Sequence, residues 1–347
     1  MPIDNLHIKS VSPLTSPAHM RDELPRSEKA NSTVENARTT IQDILTGKSD
    51  RIFAVAGPCS VHNGEEAVEY ASKLSALSRK VGDRILIVMR VYFEKPRTAL
   101  GWKGLIYDPD LDGSYNIEKG LRLARKILLE INETGLAAGS EILDPVTPQY
   151  ISDLISWAAI GARTSESQTH RQLASGLSMP VGFKNATDGS IRVAVDAVKT
   201  AAAHHSFIGV TNEGRSGVFT TTGNEFCHIV LRGGGPEQTN YEAEHIAYAR
   251  ELMKRQGLAP RIMIDCSHGN SGKVPEQQAA VMKNTAVQIG EGETAIKGLM
   301  LESNLKTGRQ DIKTGSDIMP GLSITDGCLG WEETESLIRE VYDILAG

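Results

Sequence analysis

From Arg51 onward the chain alternates short apolar runs with longer stretches in which apolar residues recur every three or four positions. The runs are Ile52–Gly57, Ile85–Met89, Leu136–Ser140, Trp157–Ala162, Pro180–Phe183, His228–Leu231, Arg261–Ile264 and Ile296–Leu301. Runs of this length, each buried on both faces and separated by helical periods, predict parallel strands joined by crossover helices. Eight such strands close a sheet on itself, so the pattern predicts an α/β fold, a TIM (β/α)8 barrel.

The intervening helices are legible at their ends. Ser27 caps a helix whose stripe is Val34, Ile41, Ile44 and Leu45, and Gly47 stops it. Acids open Glu65–Lys80 and bases close it, which suits the helix dipole. Asn116–Thr134 carries Ile117, Leu121, Ala124, Leu128 and Ile131 on one face. Thr147 followed by Pro148 reads as a cap with proline in the first turn. Ser165 and Gln168 read as a capping box opening a helix that ends at Gly176. Further helices are expected near 190–203, 241–256 and 275–289, and over Glu332–Leu345.

Three segments do not fit a bare barrel. Residues 1–26 are polar, contain four prolines and show no period, so they read as an arm. Tyr92–Tyr115 is a long loop rich in glycine and charge, and loops this long usually serve function. Phe207–Thr222 sets glycines between β-branched residues and reads as an inserted hairpin. The expected division is an N-terminal arm and helix over 1–50, serving subunit contact or regulation, and a catalytic barrel over 51–347 with the hairpin at about 206–222.

Composition narrows the class. A formal net charge of −6 over 347 residues argues against a nucleic-acid-binding surface. No run reaches the roughly 18 apolar residues of a membrane helix. Cys59, Cys227, Cys266 and Cys328 show no paired spacing, which points to reduced thiols in a cytoplasm.

Each predicted strand delivers a ligand-binding residue to the carboxyl rim, where barrels build their sites. Arg90, Lys95, Arg97, Arg163, Lys184 and Arg232 stand at strand ends or in the adjoining loop. Arginine forks match phosphate and carboxylate oxygens, and lysine adds a point charge. The implied ligand carries a phosphate and a carboxylate, or two phosphates. Cys59, His268, Glu302 and Asp326 form a second set that can meet, because the first and eighth strands adjoin and the seventh adjoins the eighth. A thiolate, an imidazole and two carboxylates suit Mn²⁺, Fe²⁺, Co²⁺ or Zn²⁺ better than Ca²⁺ or Mg²⁺. Glu141 ends the third strand among the cations. It either orients one of them through an ion pair or orders a water.

The runs AGPCSVH at 56–62, RVYFEKPRT at 90–98, GWKGLIYDPDLDGS at 101–114, IGARTSESQTHRQLASGLSMPVGFKN at 160–185, HIVLRGG at 228–234, DCSHGNS at 265–271 and SITDGCLGWE at 323–332 closely resemble the class I 3-deoxy-D-arabino-heptulosonate 7-phosphate (DAHP) synthases. The resemblance spans nearly the whole chain. It implies a barrel enzyme that condenses phosphoenolpyruvate with erythrose 4-phosphate, the first step of aromatic amino-acid biosynthesis. It implies one divalent metal ion, Mn²⁺ foremost, on Cys59, His268, Glu302 and Asp326. Phosphoenolpyruvate is then expected on Arg90, Lys95, Arg163, Lys184 and Arg232, and erythrose 4-phosphate on Arg97, Thr98 and Asp326. Lys95 is expected to donate a proton to the developing alkoxide, and Glu141 to order the attacking water, with Cys59 and His268 serving catalysis through the metal.

Relatives of this type are feedback-inhibited by an aromatic amino acid. Here the resemblance points to Pro148, Gln149, Leu173, Leu177, Ser178, Phe207 and Gly209, with the arm of a partner subunit in a homodimer or homotetramer. Glycine at 209, where phenylalanine-sensitive relatives tend to carry serine, favours tyrosine or tryptophan as effector. Two other readings compete: a synthase that joins phosphoenolpyruvate to arabinose 5-phosphate, and a non-catalytic amino-acid sensor that kept the fold.

Overall fold

The computed structural model describes residues 3–235, 238–312 and 318–347. In chain order it runs α1 (Pro17–Glu23), α2 (Glu28–Thr46), β1 (Ile52–Gly57), α3 (Gly64–Val81), β2 (Ile85–Arg90), α4 (Ile117–Glu133), β3 (Ala137–Glu141), α5 (Pro148–Ile151), β4 (Trp157–Ile160), α6 (Gln168–Gly176), β5 (Val181–Lys184), α7 (Ile191–Ala201), β6 (Ser206–Val210), β7 (Ser216–Thr220), β8 (His228–Leu231), α8 (Ala243–Arg255), β9 (Ile262–Asp265), α9 (Gln277–Gly290), β10 (Ile296–Glu302) and α10 (Trp331–Ala346). Eight of the strands close a parallel barrel in the order β1-β10-β9-β8-β5-β4-β3-β2. All eight expected strands are present. The antiparallel hairpin β6–β7 is inserted between β5 and β8, which pair directly with each other.

The barrel interior is filled rather than hollow. Phe53, Val55, Val88, Trp157, Val230, Met263 and Met300 pack inside it, and Ile41, Ile44 and Leu45 of α2 join the same cluster. The stripe of α2 therefore packs into the barrel's own core. Burying each of these larger side chains contributes roughly 1.5–3 kcal/mol. Gly47 ends α2 in the left-handed region (φ 75°), as a C-terminal glycine does. Inside the barrel, Trp157 Nε1 donates to His228 Nε2 at 3.2 Å. Burial pushes the His228 imidazole down to about 4, so this layer is uncharged at neutral pH. Charge is thereby concentrated at the carboxyl rim.

Several local expectations are corrected. The arm is not wholly irregular: Ser16 caps α1, accepting from the His19 amide. The helix after β4 is capped by Ser167, not Ser165. The Ser165 hydroxyl instead donates to the carbonyls of Gly161 and Lys184, tying β4 to β5 at the rim. Gly176 lies within the last turn of that helix, and Leu177 is its cap. β4 stops at Ile160, so Arg163 sits in the following turn. Thr147 makes no side-chain cap, and α5 is a single turn.

Candidate active site

β1 and β10 are neighbours, with Gly57 opposite Glu302. That register brings Cys59, two residues past β1, beside the last residue of β10. Asp326 arrives from the loop ahead of α10. Ligand atoms of Cys59, Glu302 and Asp326 all lie within 4.8 Å of one another. His268 borders this triad, with Nε2 3.8 Å from Glu302 Oε1. Its backbone adopts the left-handed region (φ 58°), which aims the ring at the rim from a short turn after β9. Glu302 is held at both its main-chain groups by the Gln278 amide, which donates to its carbonyl at 3.0 Å and accepts from its N–H at 2.8 Å.

The electrostatics suit a cation. Burial alone would raise the Glu302 carboxyl, but Arg90, 2.7 Å away, and Lys95 hold it below the ordinary range. Burial opposes ionisation of Asp326 as well, and Lys273 and Lys95 outweigh it. Burial and the Glu302 charge push the Cys59 thiol up, against the pull of Lys95 and Arg90. Two ionised carboxylates, a buried thiol and an imidazole are a donor set that fits a divalent transition metal, and a bound cation would reverse the upward push on the thiol.

Asp326 of the triad and the neighbouring His268 line a cavity of about 310 Å³ at the rim. All six cations singled out in the sequence line it, together with Lys273. They are not equivalent. Arg90 is spent on Glu302, and its guanidinium also lies 3.5 Å from the centre of the Tyr92 ring. Lys184 Nζ sits 2.8 Å from the buried Asp265. Arg232 is buried and donates to the Gly233 carbonyl at 3.1 Å. Its desolvation and the neighbouring Arg163 charge lower its pKa, against the pull of Asp265. Among the described residues neither Arg163 nor Arg232 has a carboxylate partner within 4.0 Å, so this corner holds excess positive charge. Arg90 and Lys184 are thus neutralised by Glu302 and Asp265, and among the described residues Glu141, the acid expected to pair with a cation, makes no ion pair.

Lys95 Nζ lies 3.1 Å from both the sulfur and the carbonyl oxygen of Cys59. Burial would lower its pKa, but Cys59 and Glu302 more than compensate, so the ammonium is retained. Arg97 and Thr98 are exposed on the loop beyond, where Arg97 Nε donates to the Trp102 carbonyl at 2.7 Å. Glu141 is buried, and its Oε1 has no hydrogen-bond partner. A Cβ at Gly161 would come 2.3 Å from that oxygen, so glycine there makes room for the carboxylate.

Sequence reasoning passed over Asp265, Lys273, Thr187, Thr325 and Glu94. Thr187 and Thr325 line the cavity. Asp265 offered one signal, an acid as the last residue of an otherwise apolar strand. Glu94 is buried ahead of Lys95, accepting from Thr147 Oγ1 at 2.9 Å and from the Asp144 amide at 3.2 Å.

Of the residues expected to hold an effector, Gln149 lies against α1, which also touches the turn of the hairpin. Arg21 donates to the Gln149 carbonyl at 2.5 Å, and the Ala18 amide donates to Asn212 in the hairpin turn at 2.7 Å. Pro148 and Leu173 are buried, Leu177 is half-buried and Ser178 is exposed. Phe207 stacks on Phe219 with ring centres 5.7 Å apart. A Cβ at Gly209 would come within 2.9 Å of the Phe219 ring, so that space is already filled.

A triad able to hold a metal ion, beside a cation-lined cavity at the carboxyl rim of a TIM barrel, is the arrangement expected of enzymes that act on anionic substrates next to a divalent ion. A sequence profile described as the DAHP synthetase I family matches residues 27–339, and the chain belongs to that family. It is 51% identical, over 97% of its length and 96% of the relative, to the Phe-sensitive phospho-2-dehydro-3-deoxyheptonate aldolase of Escherichia coli K12. It is 46% identical, over 99% and 97%, to the Tyr-sensitive enzyme of the same organism. The structure of phospho-2-dehydro-3-deoxyheptonate aldolase from Francisella tularensis SCHU S4 superposes with a TM-score of 0.95 at 45% identity, covering 98% of each chain.

Proposed function

We infer that the chain is a DAHP synthase that joins phosphoenolpyruvate, erythrose 4-phosphate and water to give DAHP and phosphate, under feedback control by an aromatic amino acid. The observation that carries this reading is that Asp326 belongs both to the Cys59–Glu302–Asp326 triad and to the wall of the cationic cavity, in a chain of this family.

The protein's residues have separable tasks. Arg163, Arg232 and Lys184 hold the phosphate and carboxylate of phosphoenolpyruvate, with Arg90 and Lys95 behind them. Arg97 and Thr98 hold the phosphate of erythrose 4-phosphate. Fixing two anions side by side against their mutual repulsion supplies much of the catalysis. A divalent ion, held by Cys59, His268, Glu302 and Asp326, supplies Lewis acidity toward the aldehyde oxygen when bound. C3 of phosphoenolpyruvate bonds to the aldehyde carbon, and the Lys95 ammonium gives its proton to the oxygen that becomes the hydroxyl. Glu141, which lines the cavity and carries a buried oxygen without a partner, orders the water that adds to C2 before phosphate departs.

Mn²⁺ is the metal we favour, with Fe²⁺, Co²⁺ and Zn²⁺ as alternatives. We place the enzyme in the cytoplasm as a homodimer or homotetramer. Four buried, unpaired cysteines support a reducing compartment. Exposed apolar residues on the arm and hairpin, among them Val11 and Ile208, support a subunit contact there. The effector site is proposed around Pro148, Gln149, Leu173, Leu177, Ser178, Phe207 and Gly209, for an aromatic amino acid; with Phe219 filling the space beside Gly209, the glycine no longer favours tyrosine or tryptophan over phenylalanine.

Product analysis tests the reading. Purified enzyme with Mn²⁺ and phosphoenolpyruvate should consume erythrose 4-phosphate and leave arabinose 5-phosphate untouched. Turnover of the pentose phosphate alone, or of neither sugar, would refute it. Separate titrations with tyrosine, tryptophan and phenylalanine identify the effector.

A further inference from the structure

Asp265 ends β9 fully buried, and every oxygen it carries is engaged. Its Oδ2 accepts from Lys184 Nζ at 2.8 Å and lies 3.0 Å from His268 Nδ1. Its Oδ1 accepts from the Ser267 amide at 3.1 Å and the Ser267 hydroxyl at 2.5 Å. One oxygen atom is therefore shared by a cation of the anion cavity and the imidazole that borders the metal triad. The Ser267 contacts fix the carboxylate, so it cannot turn to serve one partner alone.

We propose that Asp265 is a positioning residue that couples anion binding at Lys184 to metal binding at His268. The proposal rests on the reading of the site given above. His268 Nδ1 lies 3.0 Å from both Asp265 Oδ2 and the Ser267 hydroxyl oxygen, and that hydroxyl gives its own proton to Asp265. Nδ1 therefore faces acceptors, and the ring is held in the tautomer whose bare Nε2 faces Glu302, 3.8 Å away. A phosphate or carboxylate at Lys184 draws the ammonium toward itself and weakens its hold on Oδ2. The freed charge on that oxygen then strengthens the bond to His268 and makes Nε2 a better donor. By linkage, a cation on His268 must favour an anion on Lys184 by the same factor. Loading order and affinity are thus joined through one carboxylate rather than only through space.

The test is the affinity of the full-length protein for Mn²⁺, read from the free-ion signal in paramagnetic resonance, with and without phosphoenolpyruvate. In the wild type, phosphoenolpyruvate should tighten Mn²⁺ binding. Asp265→Asn should weaken Mn²⁺ binding roughly 10–100-fold, the usual effect of losing a carboxylate behind a ligating histidine. It should also bring the ratio of the two affinities close to one. An Asp265→Asn enzyme that keeps the wild-type ratio would show that ion and anion sense each other directly, and the proposal would fall. A second measurement needs no variant of Asp265. Nitrogen resonances of His268 in the metal-free wild type, assigned by their loss in His268→Gln, should show the Nδ1–H tautomer. The Nε2–H tautomer would also overturn it. Failure of the wild type to bind Mn²⁺ at all would instead sink the metal reading itself.

Discussion

Arg90 and Glu302 form a buried ion pair at 2.7 Å that crosses the barrel rim from β2 to β10. Arg90 Nε also donates to the Pro58 carbonyl and its Nη2 to the Cys59 carbonyl, both at 3.1 Å. The guanidinium therefore fixes the backbone that bears the thiol and the carboxylate that would share its metal. Removing one partner of such a pair leaves a buried charge and costs about 3–5 kcal/mol. Arg90→Leu should lose stability of that order in chemical denaturation and bind Mn²⁺ more weakly. Arg90→Lys keeps the charge but not the fork, and should recover only part of both.

Glu94 predicts a pH dependence. Burial, with the nearby Asp144 charge, pushes its carboxyl up to about 8, against the bonds from Thr147 and the Asp144 amide. A carboxyl raised in the folded state adds stability that is whole below its unfolded value, near 4.5. That contribution declines as pH rises and is gone above about 8. Melting temperatures of the wild type should therefore fall across this window. Glu94→Gln should flatten the fall, gaining on the wild type at pH 9 and not at pH 4. Parallel curves would show that folding does not raise the Glu94 pKa.

Gly161 makes a steric prediction. A methyl group there meets Glu141 Oε1 at 2.3 Å, and Glu141 is itself buried. Gly161→Ala should displace the carboxylate and lower kcat far more than it raises either KM. Glu141→Gln should share the defect. A Gly161→Ala enzyme with wild-type kcat would remove Glu141 from the reaction.

Arg97 lies on an exposed loop and has no carboxylate partner within 4.0 Å among the described residues. Its loss should cost little stability. Charge-assisted contacts to a phosphate are worth about 1.5–3 kcal/mol. Arg97→Ala should raise KM for erythrose 4-phosphate roughly 10–100-fold and leave that for phosphoenolpyruvate nearly unchanged. Equal effects on both would reassign the residue.

The barrel was legible because the strands are short, mostly apolar runs, and most of them stop at or just before a polar residue. That same punctuation exposed Arg90, Glu141, Lys184, Arg232 and Glu302. Asp265 was hidden because the argument tracked free cations and metal donors, whereas its work is to bridge Lys184 and His268 from different strands. Glu94 was hidden because a charged residue inside a loop reads as solvated, and only the fold shows it buried against Asp144 and Thr147. Ser165 misled for a related reason: a serine three residues before a glutamine satisfies the capping pattern, but here its hydroxyl reaches the carbonyl of Lys184, 19 positions on. Local rules saw the helix and could not see that longer link.

The central claim is that one divalent ion sits among Cys59, His268, Glu302 and Asp326, beside the cation-lined cavity. Anomalous diffraction from crystals grown with Mn²⁺ and phosphoenolpyruvate tests it directly. The account predicts a single strong peak within bonding distance of the Cys59 sulfur and His268 Nε2, with phosphoenolpyruvate against Arg163 and Arg232. A peak elsewhere, or one whose ligands omit Cys59, would contradict it.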